Sequence, residues 1–276
     1  MSKTVVHMLC LGLLAAMCGC SGYNKIVKAS DYATKYSLAK SMYAKGNYTN
    51  CSSLLEECIT MLRGTTQDEE SMYMLASCYY NLEDYFSASQ YYETCYKRFP
   101  NSTYSENSLF MNGKSLFLDM PDPRLDATST YGAISSLQFF VETFPKSAYR
   151  PEAEGMINEL YDRLVEKEKR SAELYYNLGN YLGNNYRSCI IVAENALRDY
   201  PYSKYREDLS ILILKAKFQM AQESVASKRE ERYRDAIDEY YAFRNEYPES
   251  DFMKEADKMF RISTKSLKEE NINQED

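Results

Sequence analysis

Four of the chain's seven prolines sit in equivalent places of a recurring segment, and this recurrence constrains the fold more than any other feature. Pro100, Pro145, Pro201 and Pro248 each follow an aromatic residue: Phe99, Phe144, Tyr200 and Tyr247. Two residues beyond each proline stands a serine (Ser102, Ser147, Ser203, Ser250), and two further on an aromatic (Tyr104, Tyr149, Tyr205, Phe252). Counting fifteen residues back from the prolines gives anchors at Tyr85, Thr130, Tyr186 and Tyr233. A fifth copy, with Arg63 in the proline slot, is anchored at Tyr48. Three residues after the anchors come the small residues Cys51, Ala88, Ala133, Cys189 and Ala236. Seven after come Leu55, Tyr92, Leu137, Ala193 and Tyr240, and fourteen after come Leu62, Phe99, Phe144, Tyr200 and Tyr247.

Offsets of 3, 7, 10 and 14 fall on one face of a helix with 3.6 residues per turn. The proline disfavours helix in the residue before it and cannot donate a backbone hydrogen bond, so the helix ends there. The serine is suited to capping the next helix. The unit is helix, tight turn, helix, proline corner. Upstream, Leu38-Ala39 and Leu75-Ala76, followed by Met42 and Tyr79, make the unit resemble the tetratricopeptide (TPR) repeat. Its period is ~34 residues, and the first two anchors are 37 apart. Later spacings of 45, 56 and 47 predict extended helices or turns. The expected fold is all-α: a TPR-like α-solenoid of about five helix-turn-helix repeats with a C-terminal capping helix.

Along the chain, residues 1–19 read as an export signal: Lys3 supplies charge, and the apolar run from Val5 to Met17 is too short to span a bilayer. Cys20, preceded by the small Gly19, is the expected lipidation site, carrying a covalent diacylglycerol and a fatty acyl group. No other cofactor is expected. A secreted protein with a chance cysteine is the alternative. Residues 20–31 form a tether, 32–120 the N-terminal repeats, 121–267 the C-terminal repeats and capping helix, and 268–276 a disordered tail. Turns are expected at Lys45-Gly46-Asn47, at Glu83-Asp84, across Asp119–Asp126, at Leu178–Asn185 and at the charged Ser227–Arg232.

Composition narrows the function. A net charge of −7 argues against nucleic acid, whose binders need a basic face. The single histidine, His7, lies in the expected signal, which lowers the case for acid–base or metal chemistry. Carboxylate pairs such as Glu56-Glu57 sit in charged helical segments, and no phosphate-binding glycine loop occurs. The chain reads as a non-enzyme. Of the five later cysteines, Cys51 and Cys189 fill a slot where other copies carry alanine, and Cys58 and Cys95 one that Ala196 fills in repeat 4; these four and Cys78 read as core packing.

The lipobox-like Cys20 with Ser21-Gly22-Tyr23-Asn24-Lys25, the Pro121-Asp122-Pro123-Arg124-Leu125-Asp126 loop, and Thr130–Ile134 carry a further likeness. To these add Leu174-Tyr175-Tyr176 and the Tyr200–Arg206 corner. Together they resemble the BamD (ComL-type) outer-membrane protein assembly lipoprotein family. The resemblance implies a lipid anchor at the periplasmic face of the outer membrane. It implies docking to a BamA-like barrel assembly protein through the C-terminal half, and N-terminal repeats that hold segments of unfolded outer-membrane proteins. A TPR adaptor lipoprotein of another envelope complex, in peptidoglycan or secretion machinery, is the competing reading. In a TPR solenoid the first helices line the groove. That places Tyr36, Lys40 and Tyr43 of repeat 1, Tyr73, Ser77 and Tyr80 of repeat 2, and Asn107, Met111 and Lys114 of repeat 3 along it. Tyrosine offers a flat apolar face and a hydroxyl to an extended peptide, and Lys40 or Lys114 a partner for a terminal carboxylate.

Overall fold

The computed structural model describes residues 31–122 and 126–275, with side chains described as far as Lys268. The export signal, Cys20 and nearly all of the tether lie outside the described residues, as do Pro123, Arg124 and Leu125. Among the described residues there are eleven α-helices and no strand. They are α1 (Tyr32–Ala44), α2 (Tyr48–Leu62), α3 (Asp68–Asn81), α4 (Tyr85–Arg98), α5 (Ser105–Leu118), α6 (Thr128–Thr143), α7 (Arg150–Leu178), α8 (Asn185–Asp199), α9 (Arg206–Gln222), α10 (Ala226–Glu246) and α11 (Met253–Glu275). The fold is an all-α solenoid of helix pairs, α1–α2 through α9–α10, closed by α11.

The anchor spacing predicts the core. All fifteen residues at offsets 3, 7 and 10 from the five anchors are at most 2% exposed. They include Cys58, Cys95, Phe140, Ala196 and Phe243 at offset 10. Burying a large apolar side chain contributes about 1.5–3 kcal/mol, so these slots alone outweigh intrinsic helix propensity. The five cysteines are all buried thiols, as expected of packing residues.

The chain divides into two compact units. One holds the described residues up to Met120 together with Ser129–Met156; the other holds Pro121–Thr128 and everything from Ile157 onward. In the first, each helix from α1 to α5 packs on the next, and α1 also touches α3. Gly113 on α5 lets the backbone approach α6, because a Cβ there would stand 2.6 Å from Cδ2 of Leu137. In the second, α8 to α11 pack in succession and α11 also reaches α9, covering the open face as an end helix must. Met156 closes the first unit, while Leu160 and Leu164 serve the second, and all three are buried.

The proline corner has one geometry repeated four times. The serine N–H donates to the carbonyl three residues back, as from Ser102 to Phe99 (3.1 Å) and from Ser250 to Tyr247 (3.2 Å). Its Oγ accepts from the N–H two residues on: Tyr104 at 2.9 Å, Tyr149 at 3.0 Å, Tyr205 at 3.3 Å and Phe252 at 3.0 Å. The serine therefore closes a turn ahead of the helix rather than capping it; α5 and α9 begin after Tyr104 and Tyr205, which make no side-chain cap. The helices after the tight turns are capped by Asn47, Asp84 and Asn184, each accepting from the N–H three residues on.

Two expectations need correction. Ser227–Arg232 is not a turn but the start of α10, and the connection is Glu223-Ser224-Val225. Charge marks exposure but does not break a helix, and no glycine or proline interrupts this stretch. Arg229 and Arg232 instead turn back to the end of α9, donating to the Ser224 carbonyl (3.1 Å) and the Met220 carbonyl (3.3 Å). Likewise α11 runs to Glu275, past Leu267, through residues with no helix breaker among them.

Turns at equivalent positions differ in strain. Gly46 has φ +71°, and its counterpart two residues before the next anchor, Glu83, has φ +62°. A non-glycine residue in the left-handed region costs roughly 1–2 kcal/mol, partly offset in a glycine variant by unfolded-state entropy. Glu83→Gly should therefore stabilise the protein by about 0.5–1 kcal/mol, read as a rise of a few degrees in the thermal midpoint. An unchanged or lower midpoint would show that the strain is relieved elsewhere in the turn.

Candidate functional site

The nine residues expected on the groove lie three, four or seven apart on α1, α3 and α5, so each helix presents its own set on one stripe. The structure brings these stripes together through side-chain bonds between consecutive first helices. Tyr36 donates its hydroxyl to Glu70 of α3, and Lys40 pairs with the same carboxylate at 2.6 Å while its ammonium lies 5.7 Å over the Tyr36 ring. Lys40, and then Tyr36, hold the Glu70 carboxyl below the usual glutamate range; burial, reinforced by Glu70, pushes the Tyr36 hydroxyl up. One repeat along, Tyr73 donates to Asn107 Oδ1 at 2.7 Å and its ring stacks on Tyr104 at 4.5 Å. Asn107 in turn donates to the Tyr149 hydroxyl at 3.3 Å. A single ladder thus runs from α1 to the start of α7 within the first unit.

The remaining residues complete the face. Tyr43 packs edge-on against Tyr48 at 5.7 Å, and Tyr80 makes the same contact with Tyr85 at 5.5 Å. Met111 packs against the cluster that holds Tyr73, Tyr80 and Tyr92. Lys114 pairs with Glu152 at 2.7 Å, lies 5.7 Å over the Phe110 ring, and has its pKa raised chiefly by that carboxylate.

Two of the nine are not available to a ligand. Tyr36 is 6% exposed and Ser77 5%, the latter sharing a 3.0 Å hydrogen bond with the buried Tyr92 hydroxyl. They are packing residues because the next helix covers them. Lys40 is exposed; Tyr43, Tyr73, Tyr80, Asn107, Met111 and Lys114 are partly exposed. Sequence reasoning missed Glu70 and Glu152, which already pair both lysines. It also missed that Tyr104 and Tyr149 turn inward from the proline corners onto this face. Their signal was present, as the aromatic that closes every corner. A peptide carboxylate arriving here would displace a glutamate from a lysine rather than meet an unpaired cation.

The second unit carries a surface pocket of about 330 Å³ at the Tyr200–Ser203 corner, lined by Asn158, Tyr161, Asp162, Tyr200, Pro201 and Tyr202. Asp162 supports the corner by accepting from Ser203 Oγ (2.8 Å) and the Lys204 N–H (3.1 Å). Tyr202 projects from it, 97% exposed. No cluster of three metal-ligating side chains occurs among the described residues, and no described helix is long and apolar enough to cross a membrane.

Comparison with known proteins gives a family and distant structural likenesses. The model of the YfiO family, described as outer membrane lipoprotein, matches residues 28–193. No curated protein sequence matches the chain. Among solved structures, the Q17M variant of the kinesin light chain nearly identical TPR-like repeats from Podosopora anserina is 12% identical. It covers 79% of this chain and 96% of its own, with a TM-score of 0.37. That likeness is too distant to carry an argument, so the solenoid assignment rests on the helix pairs themselves. The family match spans the tyrosine ladder and α7 as far as the middle of α8, more than half of the sequence, and on that ground the chain belongs to the YfiO family of outer membrane lipoproteins.

Proposed function

We propose that this protein is a non-catalytic scaffold and substrate receptor in the assembly of outer-membrane β-barrels, held at the periplasmic face of the outer membrane by lipid on Cys20. Membership of the outer membrane lipoprotein family carries the reading, and the chemistry of the ladder supports it. Half-buried tyrosine rings alternating with hydroxyl and amide groups suit an extended segment of unfolded barrel protein, since such rings pack apolar side chains while their polar ends bond backbone. Lys40 and Lys114 would take a terminal carboxylate by exchange with Glu70 and Glu152. The C-terminal half, with its pocket beside Tyr202, is the surface for a BamA-like barrel-forming subunit.

The ladder is tested with Tyr43→Ala plus Tyr80→Ala. Both side chains are partly exposed, so folding should persist by circular dichroism. Affinity for a peptide ending in an aromatic residue with a free carboxylate should fall at least tenfold by titration calorimetry, about 1.4 kcal/mol. Unchanged affinity would remove the ladder from substrate binding. Detergent purification of the lipidated protein should bring down a barrel-forming subunit; a different envelope assembly in its place would move the chain to another machine.

A further inference from the structure

The turn between α7 and α8 exposes apolar side chains that the core does not use. Leu182 is 91% exposed and Tyr181 69%, and Val225 of the α9–α10 turn is 67% exposed. The two turns lie side by side in the second unit. The Glu223 carboxylate accepts from Asn180 Nδ2 (2.6 Å) and from the Tyr186 hydroxyl (2.8 Å), and Asn184 Nδ2 donates to Met220 Sδ (3.6 Å). Leu182 holds φ +55°, a left-handed backbone that glycine, asparagine or aspartate adopts more readily. A leucine here is unfavourable twice over, in backbone and in exposure, and so points to a contact outside the chain.

Charge selects the kind of contact. Between Glu173 and Glu194 the only charged residue is Arg187, although charged residues make up 26% of the chain. Arg187 and Lys228 are each the third residue of the helix that leaves its turn, and both are exposed. They line one groove with Asn184 and Met220. The carboxylates of that groove, Glu231, Glu194 and Asp235, lie one or two helical turns further from the tip, about 5 to 10 Å along the helices. The end of the unit is thus apolar at its extremity and cationic just behind.

We propose that this tip is a membrane-contact site: Leu182, Tyr181 and Val225 enter the headgroup and upper acyl region of a phospholipid bilayer, while Arg187 and Lys228 meet lipid phosphates. Apolar side chains at the extremity, an amphipathic tyrosine ring beside them and cations behind form the pattern of an interfacial contact. Leu182 protrudes rather than lining a pocket, a shape that a fluid bilayer accepts without a matching cavity. A member of an outer membrane lipoprotein family works beside such a surface. No described helix is long and apolar enough to cross it, so the contact is one of the interface. The proposal rests on family membership and not on the tyrosine ladder or what the ladder binds.

The chain contains no tryptophan, so a single one reports on its own surroundings. The full chain, purified in detergent and reconstituted into vesicles of phosphatidylethanolamine and phosphatidylglycerol, is compared as Leu182→Trp and as Phe86→Trp. Phe86, on α4 of the first unit, is 62% exposed and serves as the control. Brominated phospholipid should quench the tryptophan at 182 at least threefold more than the one at 86, and vesicles should shift only the former to the blue. Read from Val225→Trp, quenching should fall at least threefold when Leu182→Asp is added, a change that the left-handed backbone tolerates. Arg187→Glu with Lys228→Glu should lower it at least twofold in the same vesicles and leave it unchanged in phosphatidylcholine alone. Equal quenching at 182 and 86, or quenching at 225 that Leu182→Asp does not reduce, would overturn the proposal. So would a tryptophan at 182 that leaves water only when a protein partner is added.

Discussion

Replacing Arg98 by methionine should destabilise the protein by about 3–5 kcal/mol, the usual consequence of leaving a buried charge without its partner. Arg98 ends α4 and donates to Asp68 Oδ2 at the start of α3. The Asp68 side chain is 3% exposed, and that of Arg98 25%. The same Oδ2 also receives the Gly64 N–H at 2.7 Å, so the carboxylate fastens the end of the α2–α3 connection as well. Its Oδ1 has no hydrogen-bond partner among the described residues, and the Arg98 guanidinium is the cation paired with the buried carboxylate. Methionine keeps much of the arginine stem's packing, so the loss reports on charge rather than on a cavity. The expected readout is a lower midpoint in urea with the slope unchanged. Removing both charges, in Arg98→Met with Asp68→Leu, should recover most of the loss, since an apolar pair of similar volume is often as stable as a buried ion pair. A single-variant loss below 1 kcal/mol would show that water reaches the carboxylate when the arginine is gone.

That pair also marks the boundary of what could be read from the sequence. The core slots were legible because they are local: residues at offsets 3, 7 and 10 share a helix face whatever lies opposite. The corners were legible because proline acts on its immediate neighbours. Contacts between helices depend on register, and spacing within one helix does not fix that. Hence Glu70, which takes up both Tyr36 and Lys40, and Glu152, which takes up Lys114, were invisible. The nine candidate residues share stripes on their helices, yet Tyr36 and Ser77 are buried because pattern gives the direction of a side chain and not the height of its neighbours. The misread turn at Ser227–Arg232 has a related cause. A charged helix surface and a charged loop look alike in sequence without glycine or proline to separate them.

Phe243→Ala should cost about 3–5 kcal/mol in the second unit, and the cost tests whether each repeat sets its own core volume. Phe243 is 1% exposed, ten residues past its anchor, and packs in the cluster formed by Leu214, Phe218, Ala256 and Met259, with the Tyr247 ring 5.4 Å away. Alanine already stands in this slot one repeat earlier, at Ala196, which is 2% exposed and buried in a different cluster with Val165, Leu209 and Ile213. There the slot at offset 7 is also alanine, Ala193, so the partner helix can approach the backbone closely. In repeat 5 the slot at offset 7 is Tyr240, whose hydroxyl donates to Asp257 Oδ1 at 2.7 Å and whose ring stacks on Phe260 at 4.4 Å. That tyrosine holds α10 and α11 apart at a separation suited to a phenylalanine beside it, so truncation leaves a void that the helices cannot close. Phe243→Leu, which keeps most of the volume, should cost well under half as much by the same denaturation measurement. If alanine at 243 cost less than 1 kcal/mol, the helices would be free to slide together. The slot would then specify only that a residue be apolar, with the spacing of the pair following from whatever fills it.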